Sequence, residues 1–150
     1  MLNHFLWIWS LLLLQPAHEL LIADKVITTA DLNIHIEGIK NKGGILRVCL
    51  SCDSSLFLKD CMLSENIKIE DQTSVKITFT GLPVGKYAIS VFHDLNQNEL
   101  LDKKSVLPIP REPFGFSNNP RLFFGPPRYE ECSFIFNQHN QEITIQLRKL

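Results

Sequence analysis

The run Lys86 to His93, KYAISVFH, is apolar on both sides of a two-residue alternation. Tyr87, Ile89 and Val91 fall on one face, and Ala88, Ser90 and Phe92 on the other, which is the period of a β-strand. A strand with two apolar faces cannot lie on a surface: one face needs a core and the other needs a cover. The residues before it, Gly81, Pro83 and Gly85, supply turn chemistry. Behind it, at Asp94, the composition switches to a polar loop.

The rest of the chain repeats the strand pattern in short pieces. Asp31 to Gly38 alternates through Leu32, Ile34 and Ile36, and Ile45 to Ser51 through Leu46, Val48 and Leu50. Ser74 to Thr80 alternates through Val75, Ile77 and Phe79, and Glu142 to Leu147 through Ile143, Ile145 and Leu147. Shorter strands are expected at Ile67 to Ile69 and Cys132 to Asn137, while Ser54 to Ser64 reads as a helical turn or a loop. With no helical period, about seven such strands predict an all-β fold, an antiparallel Greek-key β-sandwich.

A long irregular segment, residues 103–131, interrupts the pattern and holds six of the eight prolines. Proline bars it from a central strand or a helix interior. Its aromatics, Phe114, Phe116, Phe123, Phe124 and Tyr129, carry too much apolar area for a disordered linker. Two roles are open to them: folding over Ala88 and Phe92 as the cover, or standing exposed as a platform for a peptide or glycan.

Residues 1–23 differ in character. Phe5 to Leu14 is apolar apart from Ser10 and too short to span a bilayer as a helix, so it reads as the core of a secretory signal, with Ala17 or Ala23 as cleavage points. One domain, residues 24–150, then remains, exported to the periplasm or outside the cell. It carries 15 acidic against 15 basic side chains. That balance gives no electrostatic case for nucleic acid or for a membrane surface after cleavage. Cys49, Cys52, Cys61 and Cys132 in an exported chain point to disulfides, with three pairings open. Cys52 with Cys61 would close a short loop. Cys49 and Cys52 lie at a strand end instead of a helix N-terminus, which argues against a thioredoxin-type pair.

The polar loop carries the one constellation with chemistry in it. Asp94, Asn96, Asn98 and Asp102 stand at positions 1, 3, 5 and 9 of a calcium loop, with the Leu100 carbonyl at position 7. A hard cation wants six to eight oxygens, and alternate residues of a tight loop turn theirs to one point. Glu99 replaces the usual Gly at position 6 and Ser105 the usual Glu at position 12, which predicts weak binding, about 0.1–1 mM, with Glu99 as a substitute ligand. The plainer alternative is an Asx-stabilised turn. His93 sits at the rim of the inward row as a structural histidine, or else lines an enzyme pocket with Glu112 and Asn119. Gly81 to Lys86 lacks the spacing, the Ser or Thr and the helix of a phosphate loop.

Taken together, GLPVGKYAISVFHDLNQNELLD, the segment PIPREPFGFSNNPRLFFGPPRYEECSF and the closing ITIQL resemble a bacterial exported family, domain of unknown function 2141, over roughly residues 31–147. The resemblance falls on Gly85, Tyr87, Ala88, His93, Asp94, Asn96, Asn98 and Asp102. It continues through Glu112, Pro113, Gly115, Phe116, Ser117, Asn118 and Asn119 to Phe124, Gly125, Pro126 and Pro127. Glu99 stands where that family has Gly. The resemblance implies an exported sandwich of transthyretin-like or collagen-adhesin-repeat-like form, and no established activity. The expectation is a non-catalytic binding or structural module with calcium as its candidate ligand and a protein, peptide or glycan as its partner. Asn118, beside Asn119, joins the candidate binding residues.

Overall fold

The computed structural model describes residues 29–104, 109–123, 125–137 and 140–150. The expected signal segment and Phe124 lie outside them. The strands are β1 (Thr29–Glu37), β2 (Ile45–Ser51), β3 (Leu63–Lys68), β4 (Ser74–Pro83), β5 (Gly85–Asp94), β6 (Phe114–Phe116), β7 (Phe134–Phe136) and β8 (Gln141–Gln146), with a one-turn helix α1 (Tyr129–Cys132) before β7.

Two sheets form. One has the order β4-β1-β8 and the other β3-β2-β5-β6, with β7 paired to the first part of β5. The inward rows of both meet in one core: Leu32, Ile34 and Ile36 of β1, Phe79 and Leu82 of β4 and Ile145 of β8 face Leu46, Val48 and Leu50 of β2 and Tyr87, Ile89 and Val91 of β5. This is the β-sandwich that the alternation predicts. The hairpin β2-β3 lies in one sheet while β4 returns beside β1 in the other, a Greek-key return. Most pairs are antiparallel, but β1 and β8 run parallel, with Ile34 beside Ile143 and Ile36 beside Ile145.

The second face of β5 is covered as its composition demands. Ala88 is buried in a separate cluster with Phe57, Phe114, Phe116, Tyr129 and Cys132, against which Phe92 and Leu122 pack. The cover arrives on β6, a three-residue strand lying along β5 with Phe114 opposite Phe92 and Phe116 opposite Ser90. Its middle residue, Gly115, has no room for a side chain, because a Cβ there would stand 2.7 Å from Ile145 Cγ2 and 3.0 Å from the Gln146 carbonyl oxygen. Gly115 thus lets β6 close onto β8 and tie the two sheets together.

Three local expectations change. The segment from Cys132 begins with helix instead of strand, because the Arg128 N–H donates to Glu131 Oε2 at 2.7 Å and two acids fill the first turn. A strand occupies Leu63–Lys68 even though most of its residues are exposed, since its ladder to β2 supplies what the side chains do not. The disulfide joins Cys49 to Cys61, leaving Cys52 as an exposed thiol and Cys132 as a buried one. The pairing of Cys52 with Cys61 is therefore absent: Cys61 folds back over the outer face of β2 to reach Cys49, with Cα atoms 5.4 Å apart. Burial pushes the Cys132 thiol up to about 12, so this cysteine is an inert part of the apolar cluster.

Candidate functional site

The sequence places Asp94 at the last position of β5, on the same outward row as Ala88, Ser90 and Phe92. Its carboxylate is completely buried. Oδ2 accepts from Arg47 Nε at 2.8 Å and from the Glu99 N–H at 2.9 Å, and Oδ1 accepts from the Asn98 N–H at 3.2 Å. Burial pulls the Asp94 pKa upward. The hydrogen bonds from Arg47, Glu99 and Asn98, with the Arg47 charge, outweigh it and hold the carboxyl below the usual range.

The loop turns on itself around this anchor. Asn98 Oδ1 accepts from the Leu100 N–H at 2.9 Å, and Asn96 Oδ1 from the Asn98 N–H at 3.3 Å. The amide groups of Asn96 and Asn98 donate to the two oxygens of Asp102 at 2.8 and 3.2 Å. Gln97 and Glu99 take left-handed backbone, φ 59° and 68°, at the sharp bends. For Glu99, where Gly would be unstrained, this conformation costs on the order of 1 kcal/mol. The Glu99 carboxylate swings back to Arg47 at 3.4 Å but stays largely exposed, so this contact contributes little.

Glu112 fastens the loop from the other side. It is 4% exposed, and its two oxygens accept from the Leu95 N–H at 2.8 Å and the Asp102 N–H at 3.2 Å. One carboxylate thus grips the loop where it leaves β5 and again where it ends. The Arg111 N–H returns a bond to the Asp102 carbonyl at 2.7 Å.

The following residues do the same for the strands. Ser117 is buried; its Oγ accepts from the Ile89 N–H at 2.8 Å and donates to the Cys132 carbonyl at 2.6 Å. Asn118 donates to the Ser133 carbonyl at 2.8 Å. Asn119 treats the edge of β8 as a strand would, donating to the Thr144 carbonyl at 2.9 Å and accepting from the Gln146 N–H at 2.8 Å. Both asparagines have positive φ, which their short polar side chains tolerate.

His93 points inward beside Leu46 and is fully buried. Its Nε2 lies 2.7 Å from the Gly43 carbonyl oxygen, and its Nδ1 has no protein partner. Gly44, with φ +82°, lets the turn before β2 press against this corner; a Cβ would meet the Asp94 carbonyl oxygen at 2.6 Å.

With Arg47 as its partner, Asp94 faces donors on both oxygens, whereas a calcium ion would need those oxygens free. Asn96, Asn98 and Asp102 converge as the spacing predicts, while Leu100 offers its N–H inward to Asn98. Among the described residues no group of three or more His, Cys, Asp or Glu side chains is arranged to hold a metal ion. Of the three residues expected to line a pocket, Glu112 and Asn119 spend their side chains on different stretches of backbone, while His93 faces the Gly43 carbonyl through Nε2 and keeps Nδ1 without a protein partner. Phe114, Phe116 and Tyr129, candidates for an exposed platform, are buried in the cover. Phe57 stacks on them edge-on or tilted, 5.7 Å from Tyr129 and 6.5 Å from Phe116. Phe123 is the exception, at 81% exposed.

Arg47 is the residue that sequence reasoning overlooked. It is a lone charge in the run ILRVCLS, and the alternation sets it on the outward row, where the ladder puts it opposite Phe92 and one diagonal from Asp94.

Arg47, His93, Asp94, Asn96, Asn98, Asp102, Glu112 and Asn119 all fall within residues 34–144, which match the model of the family described as an uncharacterized protein conserved in bacteria, DUF2141. The chain belongs to this family. No curated protein and no solved structure matches it. In this DUF2141 chain, the stretch from Glu112 to Asn119 that carries the resemblance is also the stretch whose polar side chains bind backbone.

Proposed function

We propose that the protein is an exported, non-catalytic structural or binding module, built as a sandwich whose Glu112 to Asn119 segment locks the loop after β5 and the edge of β8. One observation carries this reading: Asp94, Glu112, Ser117, Asn118 and Asn119 direct their side-chain donors and acceptors to backbone groups or to Arg47. A catalytic acid, base or nucleophile needs a free atom within reach of a substrate. These side chains are already engaged. For contact with a peptide or glycan, the exposed aromatic that the described part of the loop offers is Phe123.

The lock is tested by Ser117→Ala. Removing the hydroxyl leaves the Ile89 N–H and the Cys132 carbonyl without this partner inside the cover, and stability should fall by about 1–3 kcal/mol in urea unfolding. An unchanged midpoint would show that the serine serves something other than the fold.

Calcium is tested separately. A cation at Asp94 must first displace the guanidinium of Arg47, so the melting temperature should be the same with calcium at about 1 mM, the weak end of such sites, as with chelator. A calcium-dependent rise that disappears in Asp94→Ala would instead establish the loop as a cation site.

A further inference from the structure

The strands at the margins of this sandwich are closed or defended, with one exception. On β8 the Asn119 amide donates to the Thr144 carbonyl and accepts from the Gln146 N–H. On β7 the Gln141 amide acts in the same way, donating to the Ile135 carbonyl at 3.0 Å and accepting from the Asn137 N–H at 3.4 Å. Phe114, at the start of β6, exchanges two backbone bonds with Arg148. β3 carries Glu65 on its inward row, opposite Val48, and a charge in that position resists the addition of a further strand. Along Ser74 to Thr80, β4 has none of these devices among the described residues.

The direction of its backbone groups follows from its neighbours. The Leu147 N–H donates to the Glu37 carbonyl at 2.8 Å, so Glu37, His35 and Asn33 turn their backbone groups to β8. Ile36, Ile34 and Leu32 turn theirs to Val75, Ile77 and Phe79 of β4. Ser74, Lys76 and Thr78 are left with N–H and C=O groups aimed at the open edge. The two side chains best placed to cap it reach the other way: Lys76 Nζ crosses β1 to Glu142 Oε1 at 3.4 Å, and Thr78 Oγ1 donates to Asn33 Oδ1 at 2.8 Å. On the inward row, Val75 and Ile77 pack against the core but are only half-buried. The edge thus offers an unfilled ladder and an apolar margin together.

We propose that a second copy of the chain covers this edge, β4 pairing antiparallel with β4 about a twofold axis through Ile77. In that register the strand is its own complement. Val75 faces Phe79 of the second copy and Ile77 faces Ile77, so apolar side chains meet on the inward row. On the outer row Ser74 faces Thr80 and Lys76 faces Thr78. No like charges stand directly opposite, and each Lys76 keeps Glu142 of its own chain as its partner. Ser74, Lys76 and Thr78 gain backbone partners, and the two three-stranded sheets become one sheet of order β8-β1-β4-β4-β1-β8.

The experiment uses the full chain at about 100 µM, where mass action favours a specific pair. Sedimentation should give the mass of two chains. The Lys76 and Thr78 amides should exchange severalfold more slowly in the wild type than in Ile77→Lys, which puts a charge on the inward row of the edge and should sediment as one chain. A crosslink reads the register without removing the pairing. In a Cys52→Ala background, Ile77→Cys should oxidise to a covalent dimer, because residues that face each other without hydrogen bonds have Cα atoms about 4.5 Å apart, within the reach of a disulfide. Val75→Cys, which faces Phe79, should not. A wild type that sediments as one chain overturns the proposal. So does a dimer whose Lys76 and Thr78 amides exchange as fast as in Ile77→Lys, or equal crosslinking of Ile77→Cys and Val75→Cys. Protection of those two amides in a single chain would give the edge to another segment and overturn it as well.

Discussion

Glu112→Ala should destabilise the protein by about 3–5 kcal/mol, read as the shift in urea midpoint at constant slope. The estimate follows from what the carboxylate holds. A hydrogen bond to a charged group contributes about 1.5–3 kcal/mol, and Glu112, itself buried, accepts two from backbone N–H groups of the loop. Without it, Leu95 and Asp102 lose their acceptors together, and the loop after β5 is left with Asp94, its own bonds to Asp102 and the Arg111 N–H to hold it. Glu112→Gln separates shape from charge. It keeps one acceptor oxygen and replaces the other with a donor pointing at an N–H, so it should recover less than half of the loss. A Glu112→Ala protein of wild-type stability would mean that the carboxylate is held for another purpose.

The second large effect is expected at Arg47. Arg47→Met keeps the stem that packs along the sheet and removes the charge, leaving the Asp94 carboxylate buried with backbone N–H partners alone. Breaking a buried pair in this way costs about 3–5 kcal/mol, and 15% side-chain exposure at Arg47 places the loss at the lower end. The pH dependence has a definite sign. In the wild type the Asp94 carboxyl is held below its ordinary value of 3.8. Its contribution is therefore complete above that value and is lost as pH falls through the depressed one. In Arg47→Met burial acts without the Arg47 hydrogen bond and charge that oppose it, so Asp94 takes up its proton at higher pH and sheds the cost of a buried charge. The gap between the two proteins should be widest near about pH 7 and narrow below about pH 4. A gap that stays constant across this range would place the loss in packing instead of charge.

How far the sequence reaches is visible in the strands. β1, β2, β4, β5 and β8 follow the alternation of apolar residues almost residue for residue, because one face of each is committed to the shared core and the pleat transmits that demand directly. β3 is harder to see: in LSENIK only Ile67 reaches the core, and the strand is specified by its partner β2. The parallel pairing of β8 with β1 is set by where the chain returns after the cover, a long-range choice that no local pattern records. The cover itself is legible as a need, from Ala88 and Phe92, and so is its source in the aromatics of residues 103–131.

The site divides along the same line. Local spacing correctly gathers Asn96, Asn98 and Asp102 into one loop, since Asx side chains bond backbone within a few residues. The partner that defines the chemistry, Arg47, is 47 residues away. Spacing alone reads Asp94 as a cation ligand; in the fold its carboxylate accepts from Arg47 and from the Asn98 and Glu99 N–H groups. Cys61 shows the same limit, because the sequence leaves three pairings open and the fold-back just before β3 delivers Cys49.

The central claim is that the carboxylates of Asp94 and Glu112 close this loop on backbone N–H groups. Native-state hydrogen exchange tests it most directly. The account predicts that the Leu95, Glu99 and Asp102 amides exchange far more slowly than amides of an open loop, and that Glu112→Ala releases Leu95 and Asp102 while Ile89 and Val91 stay protected. Rapid exchange of Leu95, Glu99 and Asp102 in the wild type, with the core strands protected, would contradict it.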